Sequence, residues 1–137
     1  MDDTRGEKTW KALKSGPFAD RIGPVLALRE GDGFAYAIQT DEGHANALGL
    51  VHGGVITALL DQALAMVAWQ AADRAPTVTV QMDTRFAAPA RPGALLEARA
   101  SLRHRTGSMM FLDATIHEGS RTVALGSAIM KITRKAD

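Results

Sequence analysis

Only one stretch of this chain reads as a long helix, and it is apolar on nearly every side. Residues 55–72 (VITALLDQALAMVAWQAA) are mostly helix formers, with no glycine or proline among them. A helix of that kind needs cover on most of its faces. The sequence after it supplies candidates, because beyond Pro76 the apolar period changes to two. Val78, Val80, Met82, Thr84 and Phe86 alternate with Thr77, Thr79, Gln81, Asp83 and Arg85. Leu96, Ala98, Ala100 and Leu102 then alternate with Glu97, Arg99, Ser101 and Arg103. Further strand-like runs cover residues 108–118 and 121–133. The last has a face of Ala124, Gly126 and Ala128, small enough for something large to approach closely. Short breaks at residues 89–93, 106–107 and 119–120 predict antiparallel neighbours.

Ahead of the long helix, residues 7–14 (EKTWKALK) predict a short amphipathic helix stopped by Ser15-Gly16-Pro17. The segment PFADRIGP has room for one further helical turn. Runs at 25–30 and 34–40 flank Gly31-Asp32-Gly33 as a hairpin. The longest irregular segment, residues 41–54, carries four glycines. The order predicts an α+β chain in which six antiparallel strands wrap around one central helix.

Composition narrows the function. A length of 137 residues suits one domain over 1–137, with residues 1–20 as a helical N-terminal extension. Lys and Arg number 16 against 15 acidic residues, a net charge of +1, so a nucleic-acid partner is not expected. The absence of cysteine excludes disulfides, thiol catalysis, Cys-ligated zinc and iron–sulfur clusters. The polar N-terminus lacks the apolar core of a secretory signal. The apolar run, interrupted by Thr57, Asp61 and Gln62, reads as too short to span a bilayer. These features predict a soluble, cytoplasmic protein without a membrane partner.

The candidate chemistry lies where the irregular segment enters the helix: Asn46, then His52-Gly53-Gly54, then Asp61. Glycines at a helix start allow close backbone approach, and first-turn N–H groups lack intrahelical partners. Such a terminus stabilises a carbonyl oxygen that becomes negative in a transition state. Asn46 and His52 add hydrogen-bonding side chains beside it. Asp61 sits two turns inside the helix, too deep for a cap. A carboxylate there is either a base or nucleophile, or a structural group bonded to Thr57 or to backbone. Gly53 and Asp61 are eight residues apart, about 12 Å along a helix. One carbonyl cannot touch both within one chain. Two copies with antiparallel helices bring Gly53 of one towards Asp61 of the other, so a real site implies a dimer.

This constellation, with Thr79 in the following strand and the FAAPARPG turn, resembles the PaaI-type (4-hydroxybenzoyl-CoA thioesterase-like) acyl-CoA thioesterases of the hotdog fold, over residues 20–133. The resemblance implies that the Gly53 N–H and Asn46 polarise a thioester carbonyl, and that His52 orients the loop near the sulfur. It implies that Asp61 of the neighbouring subunit is the base or nucleophile, and that Thr79 holds the attacking water. It implies CoA contacts at Phe86, Arg103, Arg105, Thr106, Gly107, Ser108 and Met109. It further implies a homodimer, commonly paired into a homotetramer, with no metal or cofactor, coenzyme A being part of the substrate. The acyl group stays open between aryl and medium-chain.

Other residues read more plainly. His44, His104 and His117 lack ligand spacing and read as solvated or structural. Residues 109–111 and 66–69 read as core, with an acyl tunnel as the alternative. Two competing functions remain: a non-catalytic acyl-CoA-binding or sensing module, and a hydratase or dehydratase on the same fold.

Overall fold

The computed structural model describes residues 9–133. Along the chain run β1 (Lys11–Ala12), α1 (Pro17–Ile22), β2 (Leu26–Glu30), β3 (Gly33–Gln39) and a 3-10 turn at Glu42–His44. Then come α2 (Gly53–Ala71), β4 (Thr77–Phe86), β5 (Leu95–Arg105), β6 (Met109–Glu118) and β7 (Arg121–Ile132). The strands form one antiparallel sheet in the order β1-β2-β3-β5-β6-β7-β4. Its inner face holds α2, whose residues Ile56, Leu59, Leu60, Ala63, Leu64 and Ala68 are buried. Spacings of three and four place them on one stripe. They pack with Ile38, Leu96, Met110, Leu112, Ile116 and Met130 of the strands.

Three expectations change. The predicted helix at 7–14 is instead a two-residue edge strand where it is described, with Lys11 opposite Ala27 and Ala12 opposite Leu26; residues 7 and 8 lie outside the described residues. Pairing with β2 and the Leu13 N–H bond to the Val25 carbonyl hold this segment extended. Secondly, residues 89–93 do not close a hairpin, since β4 pairs with β7 at the far edge. The connection is carried by other partners: Ala87 and Ala88 donate to the Val123 carbonyl, the Ala90 carbonyl accepts from Val51, and Thr40 bonds Ala94. Thirdly, α2 is not buried all round. The flank with Thr57, Asp61, Gln62, Ala65 and Met66 is half-exposed in the single chain. Moreover, α2 is by length and composition apolar enough to cross a membrane, contrary to the sequence reading; here its most apolar stripe lies on the sheet.

The small face of β7 receives that stripe. A Cβ on Gly126 would stand 2.8 Å from the Asp83 carbonyl oxygen and 3.2 Å from Cδ1 of Leu60. The large group that approaches is therefore α2 itself. Across the outer face, Arg99 of β5 binds Glu30 of β2 through two bonds of 2.8 and 2.6 Å, and reaches Glu97 at 3.0 Å. Hydrogen bonding to Glu30, together with Glu97, holds the guanidinium pKa above its ordinary value.

Candidate active site

The β4 register decides where Thr79 points. Thr79 lies opposite Met130, but Gln81 lies opposite Ile129, so Val80 is an extra residue in the strand. A bulge of this kind reverses the alternation beyond it. Thr77 and Thr79 consequently share the helix-facing side with Met82 and Thr84, while Val78 and Val80 face outward and are exposed. A strand without the bulge, as the period-two pattern predicts, would turn Thr79 away from the helix.

Thr79 instead meets Asp61. Its hydroxyl donates to Asp61 Oδ1 at 2.7 Å, and the Thr79 hydroxyl oxygen also lies 3.3 Å from the Met130 sulfur. Asp61 is thus anchored by a strand, not by Thr57 of its own helix. This is a charge-assisted bond that fixes one carboxylate oxygen and leaves Oδ2 for another partner.

The second half of the site is the start of α2. His52 is the N-cap, and its Nδ1 accepts from the Gly54 N–H at 2.7 Å. An accepting Nδ1 in a neutral ring puts the proton on Nε2. Val55 and Ile56 donate to the His52 carbonyl. The Gly53 N–H is the first-turn donor that the cap does not use. A Cβ on Gly53 would lie 3.2 Å from the Phe86 ring, so the missing side chain lets Phe86 of β4 pack on the helix start.

Asn46 is held by its own loop. Its Oδ1 accepts from the Leu48 and Leu50 N–H groups at 2.9 and 3.1 Å, and its N–H donates to the Leu50 carbonyl. Gly49, at φ +79°, makes that tight turn possible. With Oδ1 occupied, Nδ2 is the donor left for a ligand. The loop is closed by a bridge between Ala45 and Val51 and by the His52 N–H bond to the His44 carbonyl. His44 is structural: it is buried, Nδ1 accepts from the Asp41 N–H, and Nε2 lies 2.6 Å from the Ile22 carbonyl oxygen. Asn46, Gly53 and Phe86 line one cleft of about 340 Å³ with Leu50, Val51, Ile56 and residues 87–90.

The structure therefore joins Asp61 to Thr79, and Asn46 to Gly53 and Phe86, with His52 beside the second set. Within one chain it does not join the two sets, which lie two turns apart on α2. The hairpin from Arg105 to Met109 is more distant still. Arg105 donates to the Ala71 carbonyl at 2.8 Å, at the opposite end of a helix about 28 Å long. Arg103 stands 3.5 Å from Asp113 on the outer face, and Thr106 and Met109 bond each other across the turn that holds Gly107 and Ser108. Among the described residues, no group of three or more His, Asp or Glu is placed to hold a metal ion. Sequence reasoning missed Met130 beside Thr79 and the bulge at Val80, which no glycine or proline marks.

Comparison with known proteins adds to this geometry. A Pseudomonas aeruginosa protein with the provisional name of esterase is 31% identical over 122 residues, covering 88% of this chain and 91% of that protein. A phenylacetic acid degradation-related protein of Ralstonia eutropha JMP134, provisionally called a thioesterase, superposes with a TM-score of 0.74 at 25% identity, covering 84% and 89% of the two chains. The BH2602 protein of Bacillus halodurans, solved with CoA, superposes with a TM-score of 0.79 at 24% identity, covering 90% and 83%. One long helix packed on an antiparallel sheet is the hotdog fold of such neighbours. Residues 48–125, more than half the chain and spanning Gly53, Asp61 and Thr79, match the thioesterase superfamily, and the chain belongs to that family.

Proposed function

We propose that this protein hydrolyses acyl-CoA thioesters to a carboxylic acid and free coenzyme A, in a site shared between two subunits. The observation that carries the reading is the Asp61–Thr79 pair, facing the half-exposed flank of the same helix whose start forms the Asn46–Gly53–Phe86 cleft. A thioester carbonyl in that cleft takes hydrogen bonds from the Gly53 N–H and Asn46 Nδ2, which strengthen as its oxygen becomes negative. Either Asp61 of the other subunit takes a proton from a water that Thr79 helps hold, and that water attacks the carbonyl carbon, or Asp61 attacks the carbon itself. The C–S bond then breaks and the CoA thiolate leaves, giving the carboxylic acid directly in the first case and, in the second, an acyl–Asp61 anhydride that water cleaves to the acid and free Asp61. The His52 Nε2–H, on the exposed cap residue next to Gly53, is the donor that suits the departing sulfur.

The dimer follows from the distance of about 12 Å between Gly53 and Asp61, which one thioester cannot bridge. Strand β4, at the sheet edge with Val78 and Val80 about half exposed, is a surface that a second copy can cover. A homotetramer of two such dimers, a cytoplasmic location and chemistry without metal or cofactor complete the proposal. Arg103, Arg105 and residues 106–109 belong to it as CoA contacts made across subunits. The test is thiol release from a panel of aryl- and alkyl-CoA thioesters, wild type beside Asp61→Asn. Turnover by the wild type alone supports the reading; a silent wild type that still binds CoA thioesters replaces it with a sensing module.

A further inference from the structure

His44 does not line the cleft, yet its bonds hold the base of the loop that does. Its side chain is buried. The Asp41 N–H can only donate, so Nδ1, 2.9 Å away, accepts, and the proton of the neutral ring stands on Nε2. Nε2–H then donates to the Ile22 carbonyl at 2.6 Å. Ile22 is the last residue of α1, so this carbonyl has no partner within its own helix. The ring thus ties the segment after β3 to the end of α1, twenty-two residues back.

The backbone of the same residue closes the loop. The His44 carbonyl accepts from the His52 N–H at 2.8 Å, and the Asn46 N–H donates to the Leu50 carbonyl at 2.7 Å. Asn46 therefore stands two residues inside one end of the closure, and Gly53 one residue beyond the other. The bonds from Leu48 and Leu50 to Asn46 Oδ1 fix the shape of this loop but are internal to it. Its place is set from outside, by the His44 ring on one side and by the Val51 N–H bond to the Ala90 carbonyl, 2.8 Å, on the other.

Resting on the thioesterase reading above, we infer that His44 is a positioning residue for hydrolysis. Without touching substrate, it sets the separation between Asn46 Nδ2 and the Gly53 N–H, the two donors to the carbonyl oxygen. A neutral imidazole suits the task, because one rigid plane offers an acceptor and a donor at fixed spacing. Both donors act on charge that develops in the transition state. Misplacing one of them therefore lowers kcat more than it raises KM.

The experiment compares His44→Asn and His44→Gln with the wild type in thiol release from the CoA thioester that the wild type cleaves fastest. Asn keeps an oxygen near the place of Nδ1 but is too short to reach Ile22. Gln carries an amide N–H about where Nε2–H stands and restores that tie. His44→Asn is expected to lower kcat by about tenfold to a hundredfold, with KM within about threefold of wild type. His44→Gln is expected to stay within about fivefold of the wild-type kcat. Thermal unfolding of each variant ensures that the rates refer to folded protein. Imidazole ¹⁵N NMR of the wild type, which requires no variant to fold, should show His44 protonated at Nε2 and not at Nδ1. Three results overturn the inference and leave thioester hydrolysis intact: full kcat in folded His44→Asn, a loss that His44→Gln does not lessen, or a His44 proton on Nδ1. A wild type that cleaves no CoA thioester overturns the parent reading, and this one with it.

Discussion

The Thr79 hydroxyl donates to Oδ1 of Asp61 at 2.7 Å, across eighteen residues, because β4 carries an extra residue at Val80 that turns Thr79 towards α2. The pair fixes one carboxylate oxygen and leaves the other for a further partner. Thr79→Val keeps the shape and loses the bond. It is expected to lower kcat by about tenfold to a hundredfold, with a smaller change in KM, whereas Thr79→Ser retains most activity. Equal rates for wild type and Thr79→Val would remove Thr79 from the mechanism.

If the two halves of the site come from two chains, defects in different halves complement. Asp61→Ala and Asn46→Ala homodimers are each expected to be nearly inactive. Mixed dimers made from the two carry one intact site out of two and recover up to about half of the wild-type rate. Mixed dimers verified by mass and still inactive would refute a shared site.

Packing at Gly126 sets the separation of α2 from β7. Its Cβ would meet the backbone oxygen of Asp83 at 2.8 Å, which only a strand shift can relieve. Gly126→Ala is expected to destabilise the fold by about 1–3 kcal/mol. Urea unfolding measures it, and an unchanged midpoint would show that the contact is relaxed at no cost.

Tyr36 gives an alkaline dependence. Burial pushes its hydroxyl pKa above the ordinary value, with the Gln70 side chain offsetting part of the rise. The folded chain therefore keeps this proton at pH values where the unfolded chain loses it. Its contribution to stability is fully present below about pH 10 and falls as pH rises through the folded value. Tyr36→Phe should remove that part of the fall, seen as a flatter dependence of the unfolding midpoint above pH ~10.

Much of this protein is legible in the residues alone. Local pattern determines the long helix, the period-two runs that follow it, the turns at Gly31–Gly33 and Gly119, and the candidates Asn46, His52, Gly53 and Asp61, because each is a property of neighbours in sequence. Over residues 9–14 the same local pattern misleads: a short amphipathic segment has helical spacing, but pairing of Lys11 and Ala12 with β2 outweighs it. The tertiary structure alone decides that β4 crosses to pair with β7, that Val80 bulges, and that Thr79 rather than Thr57 partners Asp61. These contacts join residues far apart in the chain. Strand order and register are set by how the whole sheet closes on α2, and a side-chain period carries no record of which strand lies alongside, or where one extra residue reverses it.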